Sequence, residues 1–126
     1  MILALGGVSL DEYNNSILKT IAKMIGPGVG DDFFNPDLIW HINAAFSRLC
    51  SLGVGSDISE PFRITGVDER WDDFIEDGYQ EEVKEYVYLR VKMIFDPPAS
   101  SIVKQAYDDR IKELEWILRE VAEVGY

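Results

Sequence analysis

The run Asp96-Pro97-Pro98 fixes the layout of the C-terminal third of this chain. Neither proline can continue a helix, so a helix that leads up to this run has to end before it. Helical spacing returns after Ala99, where apolar residues recur at steps of three and four: Val103, Tyr107, Ile111, Leu114, Leu118 and Val121. Because the corner between the two helices is so short, the pattern predicts an antiparallel helical hairpin.

Three further helices are indicated upstream of this corner. Ser9-Leu10-Asp11-Glu12 has the pattern of a capping box, and the helix that it opens would end at Gly26-Pro27-Gly28. Asn35-Pro36-Asp37 is typical of a cap, a first helical residue and an acid that suits the helix dipole, and this second helix should end near Gly53. A long helix from about Gln80 to Phe95 then leads to the corner.

The predicted fold class is therefore all-α, a small bundle of four main helices with a long C-terminal helical hairpin. Residues 62–66 alternate and are β-prone, which predicts a short β-hairpin or an extended segment there. Residues 1–8 end in two glycines and are interpreted as an N-terminal arm, and residues 9–126 as a single domain. A chain of 126 residues is long enough for one modest core.

The charge and the cysteine content restrict the function classes. With 23 acidic and 12 basic side chains the formal charge is -11, and such a surface disfavours binding to a nucleic acid backbone. Cys50 is the single cysteine, so no intrachain disulfide can form and a reducing, intracellular origin is expected. The start of the chain lacks a basic n-region, and no segment approaches the roughly 18 apolar residues that span a bilayer, so neither export nor a membrane span is expected.

Catalytic and metal-binding arrangements find little support in the sequence. His41 is the single histidine, and Cys50 follows nine positions later, about two and a half turns away on the same predicted helix. Six acids in the middle of the chain do not follow the calcium-loop pattern: Asp68, Glu69, Asp72, Asp73, Glu76 and Asp77. We therefore predict no catalytic residues, no metal site and no cofactor, and interpret the protein as a non-enzyme.

Four segments, in their order and spacing, resemble the phage head-tail connector family, the adaptor proteins of tailed bacteriophages and prophages. The most specific is YVYLRVKMIFDPPASS, followed by IKELEWIL, and the supporting matches are IWHINAAFSRLCSLGVG and RWDDFIED. The similarity covers roughly residues 9–124. It implies a small helical virion protein, made in the host cytoplasm and placed at the virion neck.

The resemblance further implies a dodecameric ring on the portal that extends the DNA channel and offers a surface to a stopper or tail-completion protein. DNA would pass through without specific binding, and the six acids become candidates for the lumen wall, where carboxylates give phosphates no binding place. A head-to-tail ring needs two different contact faces on each copy. Besides the arm, the candidate interface residues are Phe62, Trp71, Tyr79, Trp116 and Tyr126, although any aromatic side chain can instead fill the core.

Two alternatives from other classes remain open at this point. The carboxylate cluster suits an acidic helical interaction protein that binds a basic partner, for example an inhibitor that mimics DNA. An enzyme of unknown type would have to rely on His41 and Cys50.

Overall fold

The structure, a computed structural model, is helical, as the sequence predicts. It describes residues 4–5, 8–9, 15–26, 34–55, 60–75 and 78–124, with the backbone alone at 4–5, 8–9 and 124. The described helices are α1 (Ile17–Ile25), α2 (Asn35–Ser51), α3 (Trp71–Phe74), α4 (Gln80–Phe95) and α5 (Ser101–Val124). In the predicted arm, β1 (Ala4–Leu5) and β2 (Val8–Ser9) pair antiparallel, with Ala4 opposite Ser9. The division into an arm and one domain stays a prediction.

Helix α1 starts from a different cap than the one predicted. Ser9 belongs to β2 and the rest of the predicted capping box lies outside the described residues, whereas Ser16 caps α1 by accepting a hydrogen bond from the Lys19 amide. The Ser16 hydroxyl also donates to the carbonyl of Val67, 2.8 Å away, and the Ile17 amide donates to the carbonyl of Glu69. The cap therefore holds the start of α1 against the segment that leads into α3.

Helix α2 lies at the centre of the core. It begins at Asn35, one residue earlier than predicted, and its buried face includes Leu38, Ile42, Ala45, Phe46 and Leu49. This face packs most extensively against α4, whose buried residues are Val83, Tyr86, Val87, Leu89 and Val91. The regular spacing of these apolar residues explains why both helices can bury one side and leave their polar side chains outside.

The helical hairpin predicted at the proline corner is confirmed. α4 ends at Phe95, α5 starts at Ser101, and the two helices pack against each other. α5 buries Leu114 and Leu118 completely. Its first six residues, 101–106, are all exposed, and Val103 is 39% exposed, so the predicted inward position of Val103 is wrong.

An extended segment, residues 60–65, crosses α2 instead of forming a β-hairpin. The Asn43 side chain holds it there by accepting from the Ile64 amide at 2.7 Å and donating to the Ile64 carbonyl at 3.0 Å. Ile64 is buried, and the preceding turn contains Gly55 at φ 86°, close to the ring of Phe74. None of residues 62–66 takes part in a β-strand, so the predicted β-hairpin is not formed there.

Candidate interaction surface

The acidic segment from residue 68 to 77 is partly structural. Glu69 accepts hydrogen bonds from the Thr65 amide, the Thr65 hydroxyl and the Gly66 amide at 3.0, 2.7 and 3.2 Å. Burial by itself raises the pKa of Glu69, but these hydrogen bonds outweigh it and hold the pKa below its ordinary value. Glu69 therefore closes the turn at residues 65–69 while it keeps its negative charge.

Asp72 and Asp73 connect α3 to its neighbours. Asp72 accepts from the side-chain amides of Gln80 and Asn15 at 2.9 and 3.2 Å, and these hydrogen bonds lower its pKa. Asp73 accepts from the Arg70 backbone amide at 2.8 Å, in the position of a capping acid at the start of α3. Both side chains remain exposed, so they combine a local structural role with an acidic surface.

Of the remaining predicted lumen acids, Asp68 is the one that the structure describes. Asp68 is exposed and makes no hydrogen bond or ion pair with another described residue. Glu76 and Asp77 lie outside the described residues. Whether the six acids share one wall of a channel stays a prediction.

Three of the predicted interface aromatics pack against the core of the chain. Trp71 is fully buried, and its indole nitrogen donates to the Thr20 hydroxyl at 3.3 Å, so it does not contribute to the exposed surface. Phe62 is half-buried, and its ring centroid lies 5.0 Å from that of Phe46 and 5.3 Å from that of Phe74. Tyr79 is also half-buried, and burial raises the pKa of its hydroxyl.

Trp116 and Trp40 are the tryptophans that reach the surface. Trp116, on α5, is 62% exposed, in line with its predicted availability to a partner, and Tyr126 lies outside the described residues. Trp40, on α2, is 74% exposed, although it is not among the interface residues predicted from the sequence. The signal was present, because Trp40 stands two positions from both Leu38 and Ile42, about 200° around the helix from the buried stripe.

Trp40 borders a groove of about 310 Å³ on the outside of α2, which we call the α2 groove. Its lining consists of Trp40, Asn43, Ala44, Ser47 and Arg63. Ala44 and Ser47 contribute small side chains to this lining, and the Asn43 hydrogen bonds to Ile64 fix the segment that carries Arg63. The site is concave, mixed apolar and cationic, and suited to contact with an acidic surface.

A second groove, of about 530 Å³, lies between α1 and α5 over the first half of α4. Its charged side chains are largely paired with each other. Arg110 binds both oxygens of Glu85 at 2.7 and 2.8 Å, and Lys84 lies 3.5 Å from Glu81. The Arg110–Glu85 pair connects α5 to α4, the Lys84–Glu81 pair lies within α4, and both leave less charge free for a ligand.

Comparison with known proteins decides the family. The family model described as phage connector protein matches residues 17–124, from the first residue of α1 to the last residue of α5. This chain belongs to the phage connector protein family. The resemblance seen in the sequence is thus confirmed over nearly the whole chain. The comparison with curated proteins and the comparison with solved structures each gave no match.

Membership gives this connector a structural role among the head-tail proteins of a phage and indicates a place at the virion neck. A structural family also favours a non-enzymatic role. His41 and Cys50 lie on one unbroken helix, about 14 Å apart along its axis. His41 contacts the ring of Phe95 and Cys50 is buried, so the pair that an enzyme would need is not formed.

Within the part of the connector that the structure describes, no group of three or more His, Cys, Asp or Glu side chains is arranged to hold a metal ion. None of the described helices is both long and apolar enough to cross a lipid bilayer.

Proposed function

We propose that this connector assembles with copies of itself into a dodecameric ring that joins the portal to the tail or stopper and extends the DNA channel. The observation that carries the proposal is the family match to residues 17–124 on a chain whose two exposed tryptophans are not needed by its own core. The core is already filled by residues such as Trp71, Phe46 and Tyr86. Large exposed aromatic side chains are typical of the centres of protein interfaces.

The acidic balance supports passage of DNA through such a ring. The formal charge of each copy is -11, and twelvefold repetition around a lumen would repel the phosphate backbone on all sides. A basic channel would instead retain DNA through phosphate contacts. We assign Asp68, Glu76 and Asp77 to the lumen, together with the exposed carboxylates of Asp72 and Asp73.

The proposal is tested by mixing the purified connector with the portal of the same phage. Light scattering after size-exclusion chromatography should report a complex with many connector copies per portal, and negative-stain images should show an annular density below the portal. A connector that remains a monomer or dimer and does not bind the portal would contradict the proposal. That result would favour the alternative, an acidic interaction protein with a basic partner.

A further inference from the structure

The α2 groove combines an exposed indole with a cation that the described part of the chain does not neutralise. Like Arg70 and Arg119, Arg63 has no ion-pair partner among the described residues, and it is the arginine that lines the α2 groove. Trp40, which also lines the groove, is 74% exposed. Tryptophan and arginine are the side chains that most often dominate the binding energy of an interface.

The groove is also held in place before any partner binds. The paired hydrogen bonds between Asn43 and Ile64 fix the extended segment on α2, and the buried Ile64 side chain anchors it in the core. Trp40 is carried by the middle of a continuous helix. A partner would therefore meet a surface whose backbone is already ordered, which lowers the entropic cost of binding.

The same chain carries a surface of matching chemistry on the outer face of α5, which we call the α5 ridge: Glu113, Trp116 and Glu120. The spacings of three and four residues place these side chains on one face of the helix. Trp116 is 62% exposed and Glu120 is exposed, with no ion-pair partner among the residues that the structure describes. Glu113 pairs with Arg110, so Glu120 is the carboxylate of the ridge that is open to a cation.

We propose that the α2 groove of one copy receives the α5 ridge of the next, with Arg63 facing Glu120 and the two indoles buried at the centre of the contact. This inference rests on the proposed ring and names its subunit contact. Groove and ridge differ, so the contact is head-to-tail, the type that closes into rings. Two copies that each carry a formal charge of -11 repel each other. An Arg–Glu pair at the contact offsets part of that repulsion, and it does so in one relative orientation of the two copies.

Charge reversal tests the pairing. Arg63→Glu and Glu120→Arg should each weaken self-association on the portal by about tenfold or more, because each places like charges opposite each other. The double variant should recover most of the loss. Lys104→Glu, the same change of charge as Arg63→Glu at an exposed position of α5 outside the ridge, is the matched control and should assemble like the unaltered chain. All three side chains are exposed, so urea unfolding should show the variants folded.

A mixing experiment tests the head-to-tail geometry. Trp40→Ala lacks the groove and Trp116→Ala lacks the ridge, so each alone should fail to form rings. Mixed together, the intact ridge of the first should bind the intact groove of the second, and analytical ultracentrifugation should show one-to-one dimers that grow no further. Dimers of Trp116→Ala by itself would mean that groove binds groove, which overturns the inference.

The outcomes separate this inference from the proposed function. Normal rings from Arg63→Glu and Trp40→Ala would overturn the groove contact and leave the ring itself standing. Rings that form but no longer bind the portal would assign the groove to the portal, which also overturns the inference. An unaltered connector that forms no ring with portal present would contradict the proposed function, and the subunit contact would fall with it.

Discussion

At the level of single residues, Glu115 connects three helices. Its carboxylate accepts hydrogen bonds from the Tyr86 hydroxyl on α4 at 2.6 Å and from the Arg48 Nε on α2 at 3.3 Å, and it lies 3.7 Å from Arg90. Burial raises the pKa of Glu115, but the hydrogen bonds from Arg48 and Tyr86 outweigh it, so the pKa lies below its ordinary value. Tyr86 is fully buried, so its hydroxyl needs protein partners for its hydrogen bonds. It donates to Glu115 and accepts from Arg90.

Replacing Tyr86 with Phe should therefore destabilise the chain. The variant loses a hydrogen bond to a charged acceptor and keeps the apolar volume, and we expect the free energy of unfolding to fall by about 1.5–3 kcal/mol. Urea unfolding followed by circular dichroism measures the difference. Tyr79→Phe is the control, because the Tyr79 hydroxyl is bonded to no described residue, and it should change the free energy of unfolding by less than about 0.5 kcal/mol. Equal losses in both variants would contradict the role of Glu115.

The pH dependence of stability follows from carboxylates with lowered pKa values, which besides Glu69 and Asp72 include Glu85 and Glu115 between the packed helices. The hydrogen bond from Arg110 lowers the pKa of Glu85, and the net pKa of Glu115 is also lowered, both from an ordinary value of 4.5. A carboxylate whose folded pKa lies below its unfolded pKa adds stability above the unfolded value, and this contribution is lost as the pH falls through the folded value. The free energy of unfolding should therefore decrease as the pH drops below about 4.5.

Urea unfolding across this acid range tests the assignment. The double variant Glu85→Gln with Glu115→Gln should be less stable near neutral pH and should lose less stability on acidification than the unaltered chain. Glu120→Gln, an exposed carboxylate on the same helix as Glu115, is the matched control and should retain the steep acid dependence. An acid dependence that is the same in all three proteins would mean that other groups cause it.

At the level of elements, α5 is attached to the bundle by few apolar side chains. Leu114 and Leu118 are fully buried, while Tyr107 and Ile111 are half-buried and the first six residues of the helix are exposed. The ion pair between Glu85 and Arg110 adds a polar connection, but both side chains are more than a third exposed, so solvent screens it. The packing of the two leucines should therefore supply most of the attachment.

Leu118→Ala should lower the free energy of unfolding by about 2–5 kcal/mol, because it leaves a cavity between α5 and the core. Ile102→Ala removes the same class of side chain from a position that is 81% exposed and should change stability by less than about 0.5 kcal/mol. Thermal or urea unfolding measures both. A comparable loss at Ile102 would show that the start of α5 packs against the chain after all.

The turn after α2 depends on a glycine. Gly55 has φ 86°, and a Cβ atom there would lie 2.3 Å from the nearest atom of the Phe74 ring. Gly55→Ala should thus combine backbone strain with a clash and cost about 1–3 kcal/mol of the free energy of unfolding. Gly66→Ala is the control, because a Cβ atom at Gly66 would meet no atom within 4 Å and its backbone is not left-handed. A harmless Gly55→Ala would show that the turn and Phe74 can shift together.

At the level of the whole molecule, the acidic charge should show its effect on DNA only in the assembled ring. Asp68→Asn, Glu76→Gln and Asp77→Asn together remove three charges and spare Glu69, Asp72 and Asp73, whose hydrogen bonds shape the region around α3. We expect ring assembly on the portal to be unchanged and retention of the ring on linear DNA at low salt to increase. Retention measured by sedimentation that stays at the level of the unaltered ring would contradict the lumen assignment.

The sequence alone indicated the four main helices, apart from the start of α1, as well as the hairpin and the family. Prolines, caps and spacings of three and four act within a few residues, so Asp96-Pro97-Pro98 ends α4, and the spacing from Leu38 to Leu49 marks the side of α2 that packing then buries. The family was readable for the same reason, because its segments keep their order along the chain.

Only the tertiary structure decided which aromatics are available and which acids have structural partners. Trp40, which is 74% exposed, stands away from the buried stripe of its own helix, whereas no local pattern marks Trp71 as the fully buried one. The difference depends on whether side chains such as Thr20 and Phe46 converge on the indole from distant parts of the chain. The same holds for Glu69, whose hydrogen bonds require the turn at residues 65–69 to close. Local patterns cannot report such contacts, because they arise only when the packed helices bring separate segments together.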